Sequence, residues 1–136
     1  MRAILKLSCV ALLAAASVGY SADAQTPRLG LVMRAKLDHS QKILEAVVTS
    51  NWQLLDHESR QIAGAAEDPA WMVLRTPEYI RHSEGFLRAT SELTLAAERR
   101  DLEAASLAFG SLTTSCVSCH RYLARARLIG GGFGRR

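Results

Sequence analysis

Near the C-terminal end of the chain, Cys116-Val117-Ser118-Cys119-His120 gathers two thiols and an imidazole within five residues. On a helix, positions three and four apart share a face, so both sulfurs and the following ring can turn to one side. Two thiols placed this way can each form a thioether with one vinyl group of a porphyrin, and the adjacent imidazole can bind its iron. C-x-x-C-H is the spacing of c-type haem attachment. Cys116 and Cys119 are therefore the candidate thioether residues, and His120 the candidate proximal iron ligand, of one covalently bound haem c.

Other chemistries use the same residue types. A thiol-disulfide oxidoreductase places C-x-x-C at the start of a helix, beside a βαβ pattern, where the helix N-terminus lowers the thiol pKa. Here the pair falls late in a helical pattern and no strand-like alternation precedes it. A zinc site would need a second close-spaced ligand pair, which His39, His57 and His82 do not supply. A local Cys116–Cys119 disulfide in a haem-free bundle is the structural alternative.

The N-terminus bears on this choice. Arg2 and Lys6 precede an apolar run from Leu7 to Val18, and Ala22-Asp23-Ala24 offers an A-x-A cleavage pattern, so residues 1–24 read as a secretory signal peptide. The run is too short for a membrane span, which needs roughly 20 residues, and no other segment approaches that length. Cleavage after Ala24 leaves 25–136 as one domain in the periplasm. Cys9 departs with the signal, so the mature chain keeps only Cys116 and Cys119. In an oxidising compartment neighbouring thiols pair unless other chemistry consumes them, and thioether formation does so.

Four amphipathic helices must position these groups. The first spans about Leu29 to Val48, with Leu29, Met33, Leu37, Ser40, Leu44 and Val47 as its inward row. The second, about Trp52 to Ala66, follows the capping candidates Ser50 and Asn51 and carries Leu55, Ser59, Ile62 and Ala66. Glu67-Asp68-Pro69 stops it. The third opens at Thr76-Pro77-Glu78 and presents Tyr79, Ser83, Phe86, Thr90, Leu93 and Ala97. The fourth runs from about Asp101 to Leu128, with Leu102, Ala105, Phe109, Leu112, Cys116, Cys119 and Leu123 on one stripe. Both cysteines thus fall on the core-facing side, and a porphyrin there would supply the flat apolar mass that a chain of only 6% aromatic residues lacks. Short connections, apart from 68–76, suit an all-α, antiparallel four-helix bundle. Gly130-Gly131-Gly132-Phe133-Gly134 ends the last helix.

A signal peptide, four helices and C-x-x-C-H in the last of them resemble the class II cytochromes c, the cytochrome c prime group, over essentially the whole mature chain. The resemblance implies haem within the bundle, held by Cys116 and Cys119 and ligated by His120. Members of the group often carry arginine four residues after the histidine. This chain has Ala124 there, flanked by Arg121 and Arg125, and Arg125 is the candidate substitute in the haem environment.

By the same resemblance the first helix supplies the distal residue. A methionine there makes the iron six-coordinate and suits electron transfer, whereas an aliphatic residue leaves a site for small gases such as NO and CO. Met33 is the candidate distal ligand, its soft thioether favouring reduced iron; filling a core gap is its competing role. Leu37, one turn on, is the aliphatic alternative in the distal pocket. Met72 lies in the long connection and does not compete.

His39, His57 and His82 read as solvated or capping histidines without a role, and Trp52 and Trp71 as packing anchors. Signal removal takes Arg2, Lys6 and Asp23 and moves the formal net charge from +4 to +3. Arg121, Arg125, Arg127, Arg135 and Arg136 cluster after the motif, where they could meet haem propionates or steer an acidic redox partner protein; a solvated basic helix end reads equally well. A second copy of the chain, as a homodimer, is a further candidate partner. Nucleic acid is excluded by export and by the lack of aromatic-basic interleaving. The expected protein is an electron carrier, not an enzyme, with a five-coordinate gas binder as the alternative.

Overall fold

The computed structural model describes residues 22–126, with side chains from Pro27 onward. Most of the expected signal segment, the glycine-rich tail and Arg127, Arg135 and Arg136 lie outside the described residues. Within them the chain forms four α-helices and no strand: α1 (Ala22–Val48), α2 (Trp52–Gly64), α3 (Pro77–Arg99) and α4 (Leu102–Arg125). None of these helices is long and apolar enough to cross a membrane.

The boundaries follow local chemistry. Asn51 Oδ1 accepts the Leu54 amide at 3.1 Å to open α2, and Asp101 Oδ1 accepts the Ala104 amide at 3.0 Å to open α4. Thr76 accepts from the Tyr79 amide, with Pro77 in the first turn of α3, where a missing N–H costs nothing. Ser50 and Arg100 take left-handed backbone with φ of 51° and 54°, so the chain reverses within a few residues after α1 and after α3. Between α2 and α3 the segment that reads as a loop contains two 3₁₀ turns, Ala65–Glu67 and Pro69–Trp71. Asp68, expected only to stop α2, caps the second turn through the Ala70 amide and pairs with Arg28 of α1 at 3.0 Å. The Arg28 hydrogen bond, with the Ala70 amide, holds its carboxyl below the ordinary range. α1 begins earlier than its apolar row suggests and carries Pro27 within it.

Packing is uneven around the bundle. α1 packs along α2, α2 along α3 and α3 along α4, while α1 and α4 touch only sparingly. Leu55, Ile62, Leu93, Ala105 and Leu112 are fully or almost fully buried in the core, and Trp71 stacks obliquely on Phe86 with ring centroids 5.0 Å apart. The rows read from the sequence for α2 and α3 are inward, and so is that of α4 apart from the exposed Leu102.

The row read for α1 needs correction. Its buried face is Val32, Lys36, Ile43, Ala46 and Val47, while Leu37 is 54% and Leu44 46% exposed. Of the expected row, Val47 is in the core and Leu29 and Met33 pack against it, while Leu37 and Leu44 stay out; Met33, Leu37, Ser40 and Leu44 line the gap between α1 and α4. An α-helix here carries two adjacent apolar stripes, and periodicity registers their combined breadth rather than which one meets the core.

Candidate functional site

The gap between α1 and α4 is a cleft of about 380 Å³, within the range of cofactor sites. Met33, Lys36, Leu37, Ser40, Gln41 and Leu44 form its α1 wall. Its α4 wall is Phe109, Leu112, Thr113, Cys116, Val117 and His120. Three helical turns of apolar surface therefore face three others across an open space. Such a surface left uncovered costs solvation free energy that folding would otherwise recover.

Cys116 and His120 stand one turn apart on the α4 wall, and both thiols of the pair are free. Cys119 is turned further inward, half-buried against the core, and burial pushes its thiol pKa up. His120 is exposed on the cleft side; burial of its ring, followed by the nearby Lys36 charge, lowers its pKa and favours the neutral imidazole that binds metals. Met33 and Leu37 lie opposite, both on the α1 wall. Arg125 is exposed in the last turn of α4 and is not among the residues lining the cleft. Met72 is 48% exposed in the long connection. Among the described residues no cluster of three or more His, Cys, Asp or Glu side chains could hold a metal ion.

A planar tetrapyrrole fits the chemistry of this donor set. It needs two thiols on one side for its vinyl groups, an imidazole beside them, and apolar cover on the opposite side. The α4 wall offers Cys116 and His120, with Cys119 one turn along the same helix and turned toward the core, and the α1 wall offers the apolar cover.

Three functional-looking groups escape the sequence reading. Lys36 is only 8% exposed, with Nζ 4.2 Å from the Trp71 ring centroid and 4.0 Å from that of Phe86. Burial lowers its pKa, against smaller opposing effects of Cys116 and Cys119. A lysine inside an apolar stripe reads as a helix-surface residue, and only the Trp71 turn packing over it puts it inside. His39, expected to be solvated, is bonded through Nδ1 to Glu58 Oε2 at 2.6 Å, and Lys42 Nζ lies 3.5 Å from the other carboxylate oxygen. Burial would raise the pKa of Glu58, but the His39 bond and the Lys42 charge outweigh it and hold the carboxyl below its usual value. Tyr122 Oη meets Thr76 Oγ1 at 2.7 Å and its ring packs on His82, tying the C-terminal turns of α4 to the start of α3. His57 is exposed.

No known protein family, curated protein or solved structure matches the chain.

Proposed function

We propose that the chain is an exported c-type cytochrome of the class II type, a four-helix bundle holding one haem c in the cleft between α1 and α4 and passing single electrons between protein partners. One observation carries this reading: the C-x-x-C-H residues Cys116 and His120 and the apolar row containing Met33 are the two walls of one cleft. Haem would supply the one-electron chemistry. Cys116 and Cys119 would hold the group, and His120 would ligate it from α4. Met33 would take the distal side from α1, with Leu37 and Leu44 excluding water beside it. Arg121 and Arg125, exposed at the end of α4, would present positive charge to an acidic redox partner. Leu37 sharing the distal wall favours one second reading, a five-coordinate gas binder with an aliphatic cover.

Mass spectrometry of the purified, denatured protein tests the attachment. The expected mass is that of the polypeptide plus one haem, and replacement of both Cys116 and Cys119 by alanine removes the added mass. A wild-type mass equal to the polypeptide, or lower by two hydrogens for a disulfide, overturns the reading.

A further inference from the structure

Some arginines of this chain are matched by carboxylates: Arg28 pairs with Asp68 at 3.0 Å, and Arg60 with Asp56 at 2.8 Å and Glu98 at 3.0 Å. Arg75, Arg81, Arg121 and Arg125 are not. All four are exposed, and among the described residues none of them forms an ion pair. One joint gathers them. Tyr122 Oη meets Thr76 Oγ1 at 2.7 Å, and the Tyr122 ring lies on His82 with centroids 5.4 Å apart, so the last turns of α4 are fixed against the first turns of α3. Arg75 precedes Thr76, Arg81 precedes His82, Arg121 precedes Tyr122 and Arg125 follows it by three residues. Within 75–82 and 118–126 Glu78 is the one carboxylate, which leaves four positive charges against one negative. Where α3 passes into α4, at the other end of the same two helices, Arg99 and Arg100 are instead set among Glu98, Asp101 and Glu103. Like charges concentrated in one place raise the local potential and draw an oppositely charged partner.

Resting on the haem reading above, we propose that this joint between α3 and α4 is where the redox partner docks, and that the partner is a protein presenting a cluster of carboxylates. Cys116 and His120 line the cleft with α1, whereas Tyr122 turns to α3, and none of the four arginines is in the lining of the cleft. A partner on the joint therefore leaves the cleft open. The joint also connects this face to the attachment motif, since Tyr122 follows Cys119 by one helical turn and both pack against the core. An electron exchanged between the partner and a group held by Cys119 has that one turn of α4 as its covalent path; one electron moves, and no bond forms or breaks. An anionic membrane is the competing polyanion. Binding to a lipid surface draws on inserted apolar side chains as well as charge, yet apart from Ile80 no large apolar side chain is exposed in 75–82 or 118–126. Glu78, set among the arginines, is repelled by a uniformly anionic surface but met by a protein of mixed charge.

Poly-L-glutamate, titrated into the purified protein at low ionic strength and followed by calorimetry, probes the surface directly. The wild type is expected to bind, and to bind less as salt shortens the screening length to about 8 Å at 0.15 M. Arg121→Glu with Arg125→Glu, and separately Arg75→Glu with Arg81→Glu, are each expected to weaken binding by about tenfold or more. Arg99→Glu with Arg100→Glu changes the net charge equally and is expected to leave binding within about twofold, because its site is screened from the joint. In the reduced holoprotein, electron transfer to the ferricyanide anion is expected to slow in the first two double variants and not in the third. Equal weakening by all three pairs of substitutions, or an effect of the α4 pair without the α3 pair, overturns the proposal while leaving covalent haem intact. So does tighter binding to phosphatidylglycerol vesicles than to poly-L-glutamate, or a ferricyanide rate unchanged in both joint variants. Should the α4 pair not fold, the α3 pair decides alone. A wild-type protein whose denatured mass carries no haem overturns this proposal and the haem reading together.

Discussion

The two long seams of α1 make opposite use of the same helix. Along α2 the seam is closed: Ile43, Ala46 and Val47 join the core with Leu55 and Ile62, and the buried carboxylate of Glu58 is bonded to His39 and approached by Lys42. Along α4 the seam is open: Leu37 and Leu44 remain about half exposed beside Met33. A closed seam is stabilised by what the chain itself supplies. An open one leaves apolar surface uncovered, which is what a bound apolar group would remove from water.

The largest effect separates the seams by burial. Leu93→Ala empties a fully buried position, and its expected cost is about 2–5 kcal/mol. Leu44→Ala, on the cleft wall, is expected to cost no more than about 0.5 kcal/mol in haem-free protein. Urea unfolding of the two variants measures both; equal costs would mean that the cleft is closed in solution.

A smaller effect probes the closed seam. Glu58→Gln removes a charged acceptor from His39 and Lys42, for an expected loss of about 1–3 kcal/mol at neutral pH. Because the folded carboxyl pKa is depressed, this contribution is complete above the unfolded value of about 4.3 and is lost as pH falls through the folded value. Stability of the wild type should therefore drop faster on acidification than that of Glu58→Gln. Parallel pH profiles would show that His39 and Lys42 do not hold the carboxylate in solution.

A volume-conserving change probes the open seam. Met33→Leu conserves volume and should cost under about 1.5 kcal/mol. In the haem-bearing protein it should convert the reduced spectrum from low-spin to high-spin, speed carbon monoxide binding and lower the potential. A reduced wild-type protein that is already high-spin would remove Met33 as ligand and favour the gas-binding reading, with Leu37 as the cover.

Much of this architecture was legible because helices declare themselves locally. Asn51, Thr76-Pro77 and Asp101 are start signals that act within three residues, and the rows Leu55-Ser59-Ile62 and Tyr79-Phe86-Thr90-Leu93 belong to helices with one dominant apolar face. The placing of Cys116, Cys119 and His120 together late in α4 was equally legible, since it depends on spacing along a single helix. The α1 row was legible as apolar, and Val47 is in the core, but Leu37 and Leu44 were misassigned to it, because a helix with a broad apolar face gives no sign of where the neighbouring helix stops and a cleft begins.

What the sequence by itself determined, then, is the four helices, their caps, and the placing of two thiols and an imidazole on one side of α4. Those are short-range properties of propensity and period. The tertiary structure alone decided that α1 and α4 stand apart, that Met33 and Leu37 look across at Cys116 and His120, and that Lys36 and Glu58 are buried with such different company. Each of these depends on residues far apart in sequence, Lys36 with Trp71 and Phe86, or His39 with Glu58. Their proximity is set by how whole helices pack, a long-range outcome that no local pattern encodes.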